Sequence, residues 1–142
     1  MLKPKQSPND VITFELSSEE WMVLRCGMND WGGPARLTDE LAVAMGFDSC
    51  RDFFVEQKRL KEELRARAPL TRLDWFRVLV ATEFVFIGGA FGSGSDWPST
   101  TGFREVETLT LIRGLQRKML REVRGLVGDG VGTLPPRRRG PS

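Results

Sequence analysis

TRLDWFRVLVATEFVFIGG, residues 71–89, is the most apolar run in this chain. Leu73, Trp75, Phe76, Val78, Leu79, Val80, Phe84, Val85, Phe86 and Ile87 cover almost the whole circumference of a helix. A helix that is hydrophobic on every side is one buried among other elements. It is too short to cross a bilayer, which takes about 20 apolar residues, and it carries Asp74, Arg77 and Glu83. Thr71, with Asp74 three residues on, caps its start. The expected fold is therefore all-α, with about five helices packed around a buried central helix at 72–88 and a short N-terminal strand or extended arm.

Upstream, Pro69 breaks a third helix that starts at Ser49 or Cys50 and runs to about Arg67. It carries Phe53, Phe54, Leu60 and Leu64 among ten charged residues, so half of it is expected to face water. Glu56–Arg59 and Glu63–Arg67 have the spacing of helix-surface ion pairs. Thr38 caps a short second helix, Asp39 to Met45, which Gly46 ends. Ser17 with Glu20 forms a capping box for the first helix, Ser18 to about Met28, and Leu16 with Trp21 occupies the hydrophobic-staple positions. That helix should bury Trp21, Leu24 and Met28. Val11 to Leu16 alternates as a short half-buried strand does. Its partner is expected in 85–91, or else the segment lies across the helices as an arm. Residues 1–10, polar and broken by proline, are expected to be disordered.

Downstream, residues 88–102 hold five glycines and, among the small residues, the aromatics Phe91 and Trp97, and suggest a loop. A last helix is expected from Phe103 to Arg124, with Val106, Leu109, Ile112, Leu115, Met119 and Val123 as its buried stripe. From Gly125 the periodicity stops, which predicts a flexible tail at 125–142 and a single helical domain at 11–124.

Composition narrows the function. Histidine is absent, which removes the commonest general base and the commonest metal ligand. The net charge of +2 includes the Arg137 to Arg139 run, so the body of the domain is close to neutral and argues against a dedicated nucleic-acid binder. Cys26 and Cys50 have no paired spacing and are expected as reduced thiols, a disulfide being the alternative. MLKPKQSPND lacks the apolar core of a signal peptide, and a cytoplasmic location is expected. No catalytic, cofactor or metal residues are expected.

Three features compete as sites. The glycine-rich loop serves as a connection, as a protein-contact loop displaying Phe91, Asp96 and Trp97, or as a phosphate cradle, against which the adjoining Glu105 and Glu107 argue. Arg113, Arg117, Arg121 and Arg124 form one basic stripe on the last helix, either solvated or set to receive an acidic partner. Glu83, an acid on the most apolar helix, is expected as an internal ion pair or hydrogen-bonded strut. Residues 40–54 resemble a helix-turn-helix, with Ala42 and Gly46 at the small-residue and turn places and Leu41, Met45 and Phe47 at apolar ones. The Gly46-Phe47 and Phe53 spacing is similar to that of the arabinose-activator class of regulators, which implies DNA reading by residues 38–60. The pattern departs at Asp52, an acid at an apolar place, and Glu56 would join it in facing the phosphates.

The expected function is a non-enzymatic protein-interaction module, an inhibitor or immunity-type protein in its most concrete form, using Phe91, Asp96, Trp97, Arg113, Arg117 and Arg121. A DNA-binding regulator is the alternative. A monomer is expected, with a homodimer as the alternative, and neither cofactor nor membrane as a partner.

Overall fold

The computed structural model describes residues 6–33 and 35–133, the last seven as helical backbone alone. Among these residues the fold is all-α. Six helices, α1 (Ser18–Asn29), α2 (Asp39–Ala44), α3 (Cys50–Arg65), α4 (Arg72–Ile87), α5 (Trp97–Thr101) and α6 (Glu105–Thr133), accompany two short strands, β1 (Val11–Ile12) and β2 (Leu70–Thr71).

Local side-chain caps set four of the helix starts. Ser17 Oγ accepts the Glu20 N–H at 3.1 Å while Glu20 Oε1 accepts the Ser17 N–H at 2.8 Å, which completes the capping box. Thr38, Ser49 and Thr71 each accept the N–H three residues on. Each cap satisfies a donor that a helix start leaves unpaired.

The helix α4 lies at the centre, packed by α1 and α6, with α3 against α1. Arg72, Asp74, Trp75, Val78, Leu79, Ala81, Thr82 and Val85 are its buried positions. Trp75 is fully enclosed, donates Nε1–H to the Ile12 carbonyl at 2.8 Å, and takes the edge of Phe14 at 5.0 Å. The enclosure is not complete all round: Phe76, Val80, Glu83, Phe84 and Phe86 are half-buried, and Ile87 is 74% exposed. Where α4 meets α6, Phe76, Val80, Leu120 and Val123 line an open apolar cavity of about 210 Å³.

The helices α1 and α4 approach unusually closely. A Cβ at Gly27 would lie 2.6 Å from Thr82 Cβ and 2.8 Å from Thr82 Cα. Thr82 turns its hydroxyl onto the Val78 carbonyl at 2.8 Å, so the contact buries no unpaired donor.

Several expectations need correction. The partner of β1 is β2, antiparallel with Val11 opposite Thr71 and Ile12 opposite Leu70. Residues 85–87 stay helical and keep their backbone groups occupied, whereas 70–71 precede α4 and have theirs free. Of residues 1–10, expected to be disordered, 1–5 lie outside the described residues. Ser7 and Asp10 instead bind Arg72: its guanidinium donates to the Ser7 carbonyl, to Asp10 Oδ2 at 2.7 Å, and to Glu122 Oε2 at 2.9 Å. That buried arginine ties the N-terminal segment, α4 and α6 together. At the other end, α6 continues to Thr133 instead of giving way to a tail at Gly125, and 134–142, with the Arg137 to Arg139 run, lie outside the described residues.

Segment 88–102 is not a plain loop. It holds a 3-10 turn at Gly94–Asp96 and then α5. It also doubles back over the C-terminal end of α4, where Ser93 donates its N–H to the Val85 carbonyl at 2.7 Å. A Cβ at Gly92 would sit 2.6–2.8 Å from the carbonyl oxygens of Val85, Gly88 and Phe84, so only glycine permits this return. Asp30, buried at the end of α1, anchors the segment by accepting the hydroxyls of Ser93 at 2.6 Å and Thr100 at 2.8 Å.

Candidate protein-contact face

The residues expected to form a contact surface separate into two groups. Trp97 is fully buried, edge-on to Phe86 at 5.7 Å, and its Nε1–H donates to Thr108 Oγ1 at 2.7 Å. Phe91 is half-buried, parallel to Trp31 with ring centroids 6.3 Å apart and edge-on to Phe84 at 6.4 Å. Both rings therefore face the core, which corrects their assignment as surface anchors: a large ring on a glycine-rich segment finds more apolar contact inward once that segment folds back. Asp96 is exposed at the end of the 3-10 turn. Carbonyl oxygens of α4 crowd Gly88 and Gly92, and they would repel a phosphate rather than cradle one.

The arginines stand apart from that segment. Arg113, Arg117, Arg121 and Arg124 are all exposed on α6, and Arg113 donates to Gln116 Oε1 at 2.8 Å. Gln116 in turn donates to Glu83, which makes that acid the hydrogen-bonded strut expected of it, between α4 and α6. None of the four arginines has a carboxylate within 4.0 Å among the described residues. Lys118, on another side of the helix, is committed to Glu20.

The sequence reading missed the apolar half of this face. Val106 is 79% and Leu109 45% exposed, although both were expected in the buried stripe of the last helix. The stripe that is buried comprises Thr108, Ile112, Leu115, Met119 and Val123. Thr108 takes the inward place because Trp97 needs its hydroxyl, and the helix is rotated accordingly. Leu109 and Arg113 share a shallow cavity of about 140 Å³ with Ile87 from the end of α4. The spacing 106, 109/110, 113, 117, 121, 124 keeps these side chains on one side of α6. The outer face of α6 thus passes from aliphatic at its N-terminal end to fourfold basic further on.

The helix-turn-helix-like pair does form. Ala42, Met45, Phe47 and Phe53 are buried, and Gly46 makes its turn at φ +94°. Asp39 and Asp52 act as caps, accepting the N–H groups of Cys50 at 2.9 Å and Asp48 at 3.0 Å. Arg59, however, contacts Asp74, Glu56 and Glu63, and the hydrogen bonds and charges of Asp74 first, then Glu56, raise its pKa above the ordinary arginine value. Arg77 joins the cluster, bonding Asp74 at 3.0 Å and lying 4.6 Å over the Phe47 ring. Glu63 thus pairs with Arg59 and not with Arg67, which instead donates to Ser18 Oγ at 3.2 Å. Cys26 and Cys50 are free and half-buried. No helix among the described residues is long and apolar enough to cross a membrane. No protein-family model, curated protein or solved structure matches this chain.

Proposed function

We propose that this chain is a non-enzymatic, cytoplasmic protein-interaction module, of inhibitor or immunity type, that meets its partner through the outer face of α6 and the end of α4. One observation carries the proposal: four exposed arginines, without carboxylate partners among the described residues, lie in line with the exposed aliphatics Val106, Leu109 and Ile87. Arginine is enriched among the few residues that dominate binding energy, and an apolar patch beside it supplies the desolvated centre such a contact needs. The partner that fits is an acidic surface with an aliphatic edge. Opposite charge would speed the encounter and make it salt-sensitive. The protein is proposed to present this face as a monomer.

The DNA-binding alternative at 38–60 has less in its favour, because three carboxylates occupy Arg59. The test is affinity capture from the source cell by wild-type protein and by an Arg117→Glu, Arg121→Glu double variant, with circular dichroism as the folding check. A stoichiometric protein captured by the wild type alone, and released by salt, is expected. Equal capture by both proteins refutes the assignment of the face. Low-salt binding to duplex DNA that Arg51→Ala abolishes would favour the alternative. A concentration-dependent melting midpoint would show the face closing on a second copy.

A further inference from the structure

We propose that the cleft between α1 and α3 is a binding site for a phosphate group. Arg25, Cys26 and Asn29 of α1 and Lys61 and Arg65 of α3 line it. Its volume is about 190 Å³, below the roughly 300–1,000 Å³ typical of pockets for drug-sized ligands, and suits a single oxyanion headgroup. Three of its five lining side chains are cations, and none has a carboxylate within 4.0 Å among the described residues. In a chain of net charge only +2, three cations lining one cleft make a local concentration of positive field.

Lys61 and Arg65 stand four apart on α3, a like-charge spacing that weakens a helix, and Arg25 adds a third cation from across the cleft. Asn29 Oδ1 accepts from Lys61 Nζ at 2.9 Å, which orients the ammonium and leaves the Asn29 amide N–H₂ as a further donor. The Cys26 thiol is half-buried, and burial first, then Asp30, pushes its pKa up against the opposing pull of Arg25. It therefore stays neutral near pH 7 and puts no negative charge in an anion's way. A phosphate group carries close to two charges at that pH and offers three acceptor oxygens, matching guanidinium, ammonium and amide donors. The site shares no residue with the α6 face and does not depend on it.

The full chain is titrated with inorganic phosphate, and separately with adenosine monophosphate, at constant ionic strength set by chloride, and followed by amide chemical shifts. Saturable shifts confined to the Arg25–Asn29 and Lys61–Arg65 segments are expected. The tighter of the two probes then tells whether the free ion or a phosphate ester is the ligand. Lys61→Met and Arg65→Gln should each weaken binding by about tenfold or more, while Arg51→Gln, which lies outside the cleft, should not. A second readout uses iodoacetamide: phosphate should slow alkylation of Cys26 and leave Cys50, the internal control, unchanged. Absence of saturation with both probes, shifts spread evenly over all basic residues, equal protection of both cysteines, or a response to duplex DNA alone would each overturn the proposal.

Discussion

Replacing Gly27 with alanine separates what the helix alone prefers from what the packing allows. Gly27 sits inside α1, where alanine is favoured over glycine by about 1 kcal/mol. Local propensity therefore predicts a more stable protein. The tertiary structure reverses the sign. The added methyl would lie 2.6 Å from Thr82 Cβ and 2.8 Å from Thr82 Cα, against an optimal carbon–carbon separation of about 3.5–4.0 Å. Relief of about 1 Å must come from α1 and α4 moving apart, because Thr82 Cα is backbone in a fully buried stretch. Overpacking of this kind costs about 1–3 kcal/mol, and the rigid obstacle places Gly27→Ala at or beyond the upper end. Net of the propensity gain, a loss of about 2 kcal/mol is expected, a fall in melting midpoint of about 4–8 °C for a chain of this size. Gly114→Ala is the matched control. There a Cβ would meet side-chain ends, Glu20 Oε2 at 3.1 Å and Arg117 Nη2 at 3.9 Å, and no backbone of another helix, so the substitution should cost far less than Gly27→Ala. Urea unfolding followed by far-ultraviolet circular dichroism, with both variants beside wild type, reads the two free energies. Gly27→Ala as stable as wild type, or more stable, would refute the close crossing of α1 and α4.

Trp97→Ala should lower stability by about 3–5 kcal/mol, since it empties a fully buried site and removes the hydrogen bond to Thr108; thermal denaturation measures it, and a shift no larger than a surface substitution gives would return the residue to the surface. Arg72→Met should cost about 2–3 kcal/mol, because charged hydrogen bonds to Asp10 and Glu122 are lost from a side chain only 6% exposed; chemical denaturation showing no change would dissolve its role in tying the N-terminal segment to α4 and α6. Burial alone would raise the Glu20 pKa, but the Lys118 ion pair and the Ser17 bonds outweigh it, and the group titrates below its ordinary value. A depressed carboxylate contributes stability that is fully present above the unfolded-state value, about pH 4.3, and is lost as pH falls through the folded-state value. Stability of the wild type should therefore fall more steeply with acidification through that range than stability of Glu20→Gln, and parallel curves from unfolding at stepped pH would contradict the pairing.

Helix positions were legible in the sequence because their determinants are local. A capping side chain acts within three residues, so Ser17, Thr38 and Thr71 announce three helix starts without reference to the rest of the chain. The run from Leu73 to Ile87 likewise declares itself central, since no surface helix tolerates apolar residues on every side. The stripe Arg113, Arg117, Arg121 and Arg124 is legible for the same reason: helical spacing puts the four on one side wherever the helix goes.

What faces what was left to the tertiary structure. Thr108 and Leu109 are adjacent in sequence, and periodicity favours the leucine for the core. The hydrogen bond from Trp97 gives the inward place to the threonine and leaves Leu109 at the surface beside Ile87. The inward turn of Trp97 and Phe91 depends on Gly92 passing against the carbonyls of α4 and on Asp30 holding Ser93 and Thr100 from more than sixty residues away. Gly27 reads as a weak point in a helix until Thr82 is placed against it. Periodicity and capping act over a turn of helix, whereas burial is settled only when segments distant in the chain compete for the same volume.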